Sequence, residues 1–252
     1  MEWILTRKRH LPSEDLANIA TLPIAEQRKR LVGLLGPARM SYRPVRLAEG
    51  AIWGLGLPLP IATPKPTTDD ILAAVAAQSR KGEERRSCLE LARLFHELVL
   101  ERSVVAASRE FGRLQLGMGV SVSYCSDVVL LQAGEAPSVV GVNYRRRPYT
   151  AGGLRFALSA MHEQSRALER DLSGARLSML QFPQRAKRPR TAEITFGDGI
   201  ELFDYEQLAR MAADTCRLWN EVQEAAEDKA RRTDTSGWWG YGEPPSASEV
   251  AS

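Results

Sequence analysis

Prolines at 58, 60, 64 and 66 divide this chain more firmly than any other feature. Each lacks an amide donor and disfavours the α-region at the residue before it, so the leucines around them lie on extended backbone and not on a core helix. The run Gly54-Leu55-Gly56-Leu57-Pro58-Leu59-Pro60 is apolar and uncharged, and Ile61-Ala62-Thr63-Pro64-Lys65-Pro66 continues it. The chain therefore reads as a helical region over 1–50, a Pro-rich linker over 51–66, an α/β domain over 67–232 and a disordered tail over 233–252. At 252 residues, 44% hydrophobic and 26% charged, it has enough material for one good core or two small ones.

Before the linker, Ser13 with Glu14 and Asp15 marks a helix start, and a second helix runs from Ile24 to about Leu35, where Gly36-Pro37 stops it. Arg28, Lys29 and Arg30 read as its solvated face. After the linker, Thr67-Thr68-Asp69-Asp70 opens a helix with Ile71, Leu72, Val75 and Ala76 at helical spacing. A hinge at Lys81-Gly82 separates it from a longer helix, Glu83 to near Arg109, whose stripe is Leu91, Leu94, Phe95, Leu98 and Val99.

From Leu116 the period shifts toward two. Met118, Val120, Val122 and Tyr124 alternate, Asp127 to Leu131 follows, and Ser138 to Tyr144 makes a third strand after the turn Gly134-Glu135-Ala136-Pro137. A helix from Thr150 to Leu168 then leads into Arg176–Phe182, which closes a β-α-β unit parallel to the third strand by a right-handed crossover. A hairpin, Glu193–Phe196 and Ile200–Phe203 about Gly197-Asp198-Gly199, precedes a helix from Tyr205 to about Arg231. The fold class is α/β: a helical N-terminal region, a small mixed sheet with a β-α-β crossover, and a C-terminal helix.

The apolar run resembles the bacterial sliding-clamp-binding hexapeptide Gln-Leu-x-Leu-Pro-Leu, through which polymerases and repair factors dock in one groove of the replicative clamp. Leu55, Leu57, Pro58 and Leu59 match it, Gly56 takes the free position, and Gly54 stands in place of the glutamine. A segment already stiffened by proline loses little entropy on docking, and each leucine buried in a pocket contributes roughly 1.5–3 kcal/mol. In this reading Leu57 and Leu59 are the anchors, Leu55 a flanking contact and Pro58 the stiffener. The alternative is a connector whose leucines pack on the neighbouring domain. In size, Ala- and Arg-rich composition and clamp-type motif the chain is similar to the SocB family of bacterial replication-inhibiting toxins. The resemblance implies competition with polymerase for the clamp, an antitoxin and proteolytic adaptor, SocA, and delivery to the ClpX-ClpP protease.

The order of elements over residues 83–203 also resembles the PD-(D/E)XK nuclease fold, in which an aspartate on the second strand and a Glu-x-Lys on the third bind metal and activate water. Asp127 stands where the aspartate would, and Asn143-Tyr144-Arg145 where Glu-x-Lys would. Asparagine supplies no second carboxylate, and arginine stays protonated, so the vestigial positions Asp127, Asn143 and Arg145 imply a nuclease scaffold without its catalyst.

Other chemistry is thin. His10, His96 and His162 are far apart and lack metal-ligand spacing, and Cys88, Cys125 and Cys216 form no Cys-x-x-Cys pair. No cofactor, metal or enzymatic activity is expected. The net charge of +3 exerts no global pull on nucleic acid or membrane. No apolar run reaches the roughly 20 residues that span a bilayer, which predicts a cytoplasmic protein. Two basic clusters remain, Arg145-Arg146-Arg147 and Arg185-Lys187-Arg188-Arg190, both at carboxyl ends of parallel strands. They read as a solvated loop surface or, for Arg145, Arg146, Arg147, Lys187 and Arg188, as contacts to phosphate on DNA. The tail carries Trp238-Trp239-Gly240-Tyr241, an aromatic group fit for docking on the body or a partner.

Overall fold

The computed structural model describes residues 9–36, 40–55, 65–102, 105–117, 119–132, 134–185 and 188–235. Five helices come first: α1 (Ser13–Ala20), α2 (Ile24–Val32), α3 (Arg43–Ile52), α4 (Thr68–Gln78) and α5 (Glu83–Arg102). Strands β1 (Val105–Ser108), β2 (Leu114–Gln115), β3 (Ser121–Val122), β4 (Val128–Leu131) and β5 (Ser138–Asn143) follow. Then come α6 (Ala151–Met161), β6 (Arg176–Gln181), β7 (Glu193–Phe196) and α7 (Tyr205–Thr235). The main sheet has the order β1-β4-β5-β6-β7. β5 and β6 pair in parallel from Ser138 opposite Arg176 to Asn143 opposite Gln181, and their neighbours run antiparallel.

Period-two alternation sends successive side chains to opposite layers. Val129, Val139, Leu177 and Met179 meet α1, α6 and α7 through Leu16, Phe156, Leu158, Leu208 and Ala212. Val128, Val140, Leu180 and Phe182 meet α3, α4 and α5 through Val45, Ile71, Leu91 and Phe95. The sheet is thus covered on both faces by helices. On the second face Phe95 is the hub, with its ring 4.9 Å from Trp53 and 5.5 Å from Phe182. A smaller cluster of Ile19, Leu31, Leu218, Trp219 and Val222 holds α2 against α7.

Local chemistry places most boundaries. Thr67 and Asp70 form a reciprocal capping box at the start of α4, and Gly82 supplies the positive φ of the hinge before α5. α1 starts at Ser13, but Pro12 occupies its N-cap and no side-chain cap bond forms.

Three expectations are corrected. α5 ends at Arg102 instead of near Arg109, and Val105–Ser108 becomes the edge strand beside β4. The helical stripe runs out at Val99, three residues before the charged Arg102, whereas Val105 is β-branched. The expected strand over Met118–Tyr124 does not join this sheet: its described core, Ser121–Val122, pairs with β2 in a separate ladder. Gly117 and Gly119, at φ +70° and +85°, turn the backbone there. Gln164 then takes the place of a strand partner, accepting from the amides of Tyr124 (3.1 Å) and Cys125 (3.4 Å) and donating to the Gly112 carbonyl (2.5 Å). Finally, β7 lacks the second hairpin arm: Ile200, Leu202 and Phe203 pack on the core, and the Phe203 amide donates to Ser159 Oγ at 2.9 Å.

Removing the hub ring leaves a cavity between α5 and the sheet. Phe95→Ala is expected to cost about 3–5 kcal/mol, read as a lower urea midpoint with the slope unchanged.

Candidate functional site

Leu57, Pro58 and Leu59 fall outside the described residues, but both ends of their segment are defined. α3 stops in a Schellman arrangement: the Gly54 amide donates to the Ala51 carbonyl at 3.0 Å and the Leu55 amide to the Gly50 carbonyl at 2.9 Å. Gly54 takes φ +69°, the left-handed region that such a stop requires. That explains a glycine where the clamp hexapeptide has glutamine. Leu55 is half-buried against the cluster that includes Trp53 and Phe95, so its side chain is committed in part to the core. At the other end, Lys65 lies beside Gly54: a β-carbon built on Gly54 would sit 3.8 Å from its Cδ. Residues 55 and 65 therefore bracket the apolar run at one place on the body, between the stop of α3 and the cap of α4.

The basic triplet follows the parallel pair, and its three arginines have separate roles. Asn143 is fully buried; its Oδ1 accepts from the Arg145 amide at 3.1 Å and its Nδ2 donates to the Arg147 carbonyl at 3.4 Å. Opposite it, Gln181 accepts from the Tyr149 amide at 2.8 Å, so two buried amides shape the loop. Arg145 turns inward to Asp15 at 2.6 Å and Glu14 at 3.4 Å. Those carboxylates hold its guanidinium above its ordinary pKa against the opposing effect of burial. Arg146 reaches Ser87 at 3.2 Å and Glu83 at 3.6 Å. Only Arg147 is exposed.

The second cluster divides in the same way. Arg188 is exposed, Lys187 lies outside the described residues, and Arg185 approaches Glu193 at 3.6 Å. Arg190 is just 3% exposed. It donates to the Phe182 carbonyl at 2.8 Å and to that of Tyr144, and lies 5.1 Å over the Tyr42 ring. Burial lowers its pKa, with Tyr42 opposing.

Asp127 is exposed and accepts from the Phe111 amide at 3.2 Å, a turn-capping role. Asn143, as above, serves the loop. Among the described residues no group of three His, Cys, Asp or Glu side chains is placed to hold a metal ion. His96 is buried and shares a hydrogen bond with Thr68, and burial pushes the Cys125 thiol far above its ordinary pKa. Among the described residues no helix is long and apolar enough to cross a membrane.

An open groove of about 1530 Å³ runs between α1–α2, α3 and the loop after β5. Lys29, Arg30, Arg43 and Arg46 face it together with the triplet. Sequence reasoning left these four out because they belong to separate helices, and only the packing of α1 on α6 and of α3 on α5 brings them to Arg147.

The family model for the sliding clamp-binding bacterial toxin SocB matches residues 14–229, which takes in every helix and strand described except the first residue of α1 and the end of α7. The chain belongs to the SocB family. It is similar to the DNA replication inhibitor toxin SocB of Caulobacter vibrioides (strain NA1000 / CB15N), with 33% identity over 247 residues that cover 92% of this chain and 98% of that protein. No solved structure matches it, and the likeness to PD-(D/E)XK nucleases gains no support there. The family match includes residues 51–66.

The arginine assignments predict unequal costs within one triplet. Arg145→Ala is expected to destabilise by about 1.5–3 kcal/mol through loss of charged hydrogen bonds, and Arg147→Ala to stay within about 0.5 kcal/mol. Urea titration of both variants checks the contrast.

Proposed function

We propose that this SocB-family chain inhibits DNA replication by presenting Leu55, Leu57, Pro58 and Leu59 to the replicative sliding clamp, in competition with polymerase and other clamp partners. The observation that carries this reading is the bracketing of the apolar run: Gly54-Leu55 and Lys65 are neighbours on the body, so the leucines between them belong to a segment rooted at both ends. Such rooting lowers the entropy lost on docking. Half-buried Leu55 serves as the hinge contact, which leaves Leu57 and Leu59 as the anchors. Their burial, at roughly 1.5–3 kcal/mol each, contributes about 3–6 kcal/mol of the about 8 kcal/mol of a micromolar complex, and the flanking contacts supply the remainder.

The action is by occupancy and not by catalysis, in the cytoplasm where the clamp works. Family resemblance extends the partners to a SocA antitoxin that hands the toxin to the ClpX-ClpP protease. The Leu57→Ala/Leu59→Ala double variant is expected to lose at least a hundredfold in clamp affinity by calorimetry while keeping its circular dichroism spectrum. Undiminished binding by that variant overturns the assignment. Incubation of the protein with DNA and magnesium or manganese is expected to leave the DNA intact; cleavage that disappears in Asp127→Ala would instead restore a nuclease reading.

A further inference from the structure

We propose that the groove between α1–α2, α3 and the loop after β5 is a second binding site, one that takes the phosphodiester backbone of single-stranded nucleic acid. Six cations from three distant parts of the chain converge on it: Lys29 and Arg30 of α2, Arg43 and Arg46 of α3, and Arg146 and Arg147 after β5. Lys29, Arg30, Arg43 and Arg147 are exposed, and their side chains form no ion pair among the described residues. The groove's carboxylates do not cancel them. Glu14 and Asp15 are engaged by Arg145 and Arg46, leaving Glu26 against four unpaired cations.

The dimensions argue for a polymer. At about 1530 Å³ the groove exceeds the roughly 300–1,000 Å³ of small-molecule pockets. Its concavity suits a flexible strand better than a rigid duplex, as in the basic channels of single-strand binders. Its chemistry argues for phosphate, since five of the six cations are arginines, whose planar fork matches phosphate oxygens. Arg190 stacks on Tyr42, which lines the groove at the start of α3. At the groove wall Tyr42 offers an aromatic surface to a base.

This site differs from the phosphate surface expected from sequence, because Arg145 is consumed by Asp15 and Arg190 by backbone carbonyls, while α2 and α3 bring cations that the linear pattern did not connect. It is also independent of the clamp reading, as none of the six cations lies within residues 55–59.

The test is fluorescence anisotropy of a labelled oligothymidine of about 20 nucleotides with the full chain at rising salt. Binding is expected, with log K falling linearly against log salt. Arg43→Ala/Arg147→Ala is expected to weaken it at least about tenfold and to reduce the slope by roughly 1.4, about 0.7 for each phosphate no longer neutralised. Arg217→Ala, at an exposed position of α7 where the side chain pairs with Asp214 at 2.6 Å, is the control and should bind as the parent does. Clamp affinity of the double variant should be unchanged. No binding at low salt, full binding by the double variant, equal affinity for a duplex of the same length, or equal displacement by polyglutamate each overturns the proposal.

Discussion

β5 and β6 each contribute six residues to a parallel ladder that has no wet face, since α1, α6 and α7 cover one side and α3, α4 and α5 the other. Parallel strands cannot be joined by a tight turn, so α6 must cross between them, and it is the burial of Phe156, Leu158 and Met161 that fixes it there. The antiparallel neighbours β4 and β7 then extend a pattern already set. Even Gly141 belongs to this constraint: a β-carbon there would come within 2.7 Å of the Tyr124 carbonyl, so the segment gripped by Gln164 crosses the sheet at a point where only glycine fits.

The carboxyl end of that ladder is where charge collects. Asn143 and Gln181 face each other as the last register pair, and both spend their side chains on the loop that carries the arginine triplet. Arg145 welds the loop to α1, Arg146 ties it toward α5, and Arg147 is left outward. One run of three identical residues thus does packing, bridging and display, a division set by which helix each one faces. Arg190 reinforces the same end from the other layer, clasping the carbonyls of Tyr144 and Phe182 and roofing Tyr42.

Much of this was legible in the chain. The α/β class, the β-α-β crossover and the capping box at Thr67 all follow from period and local chemistry, and the long C-terminal helix follows from its amphipathic repeat. The errors fall where a tertiary partner replaced a local rule. Tyr124 and Cys125 alternate like a strand, yet a glutamine forty residues away takes their amides. Ile200 to Phe203 alternate too, yet Ser159 caps them instead of a neighbouring strand. Lys29 and Arg30 are exposed, as a solvated face requires, but their place on one groove with α3 and the β5 loop was not legible in the linear pattern. Gly54 is the most instructive case: against a peptide motif it counts as a mismatch, whereas against the end of α3 it is the residue that a left-handed stop demands.

The meeting of Gly54 with Lys65 also has a mechanical side. The apolar run is not a tail that ends in solvent; it starts from α3 and returns to α4, and both helices press into the layer centred on Phe95. A load applied to the middle of the run is therefore divided between two roots in one hydrophobic layer. Whatever pulls on that segment pulls on α3 and α4, which pack directly against Val140, Leu180 and Phe182 at the ladder.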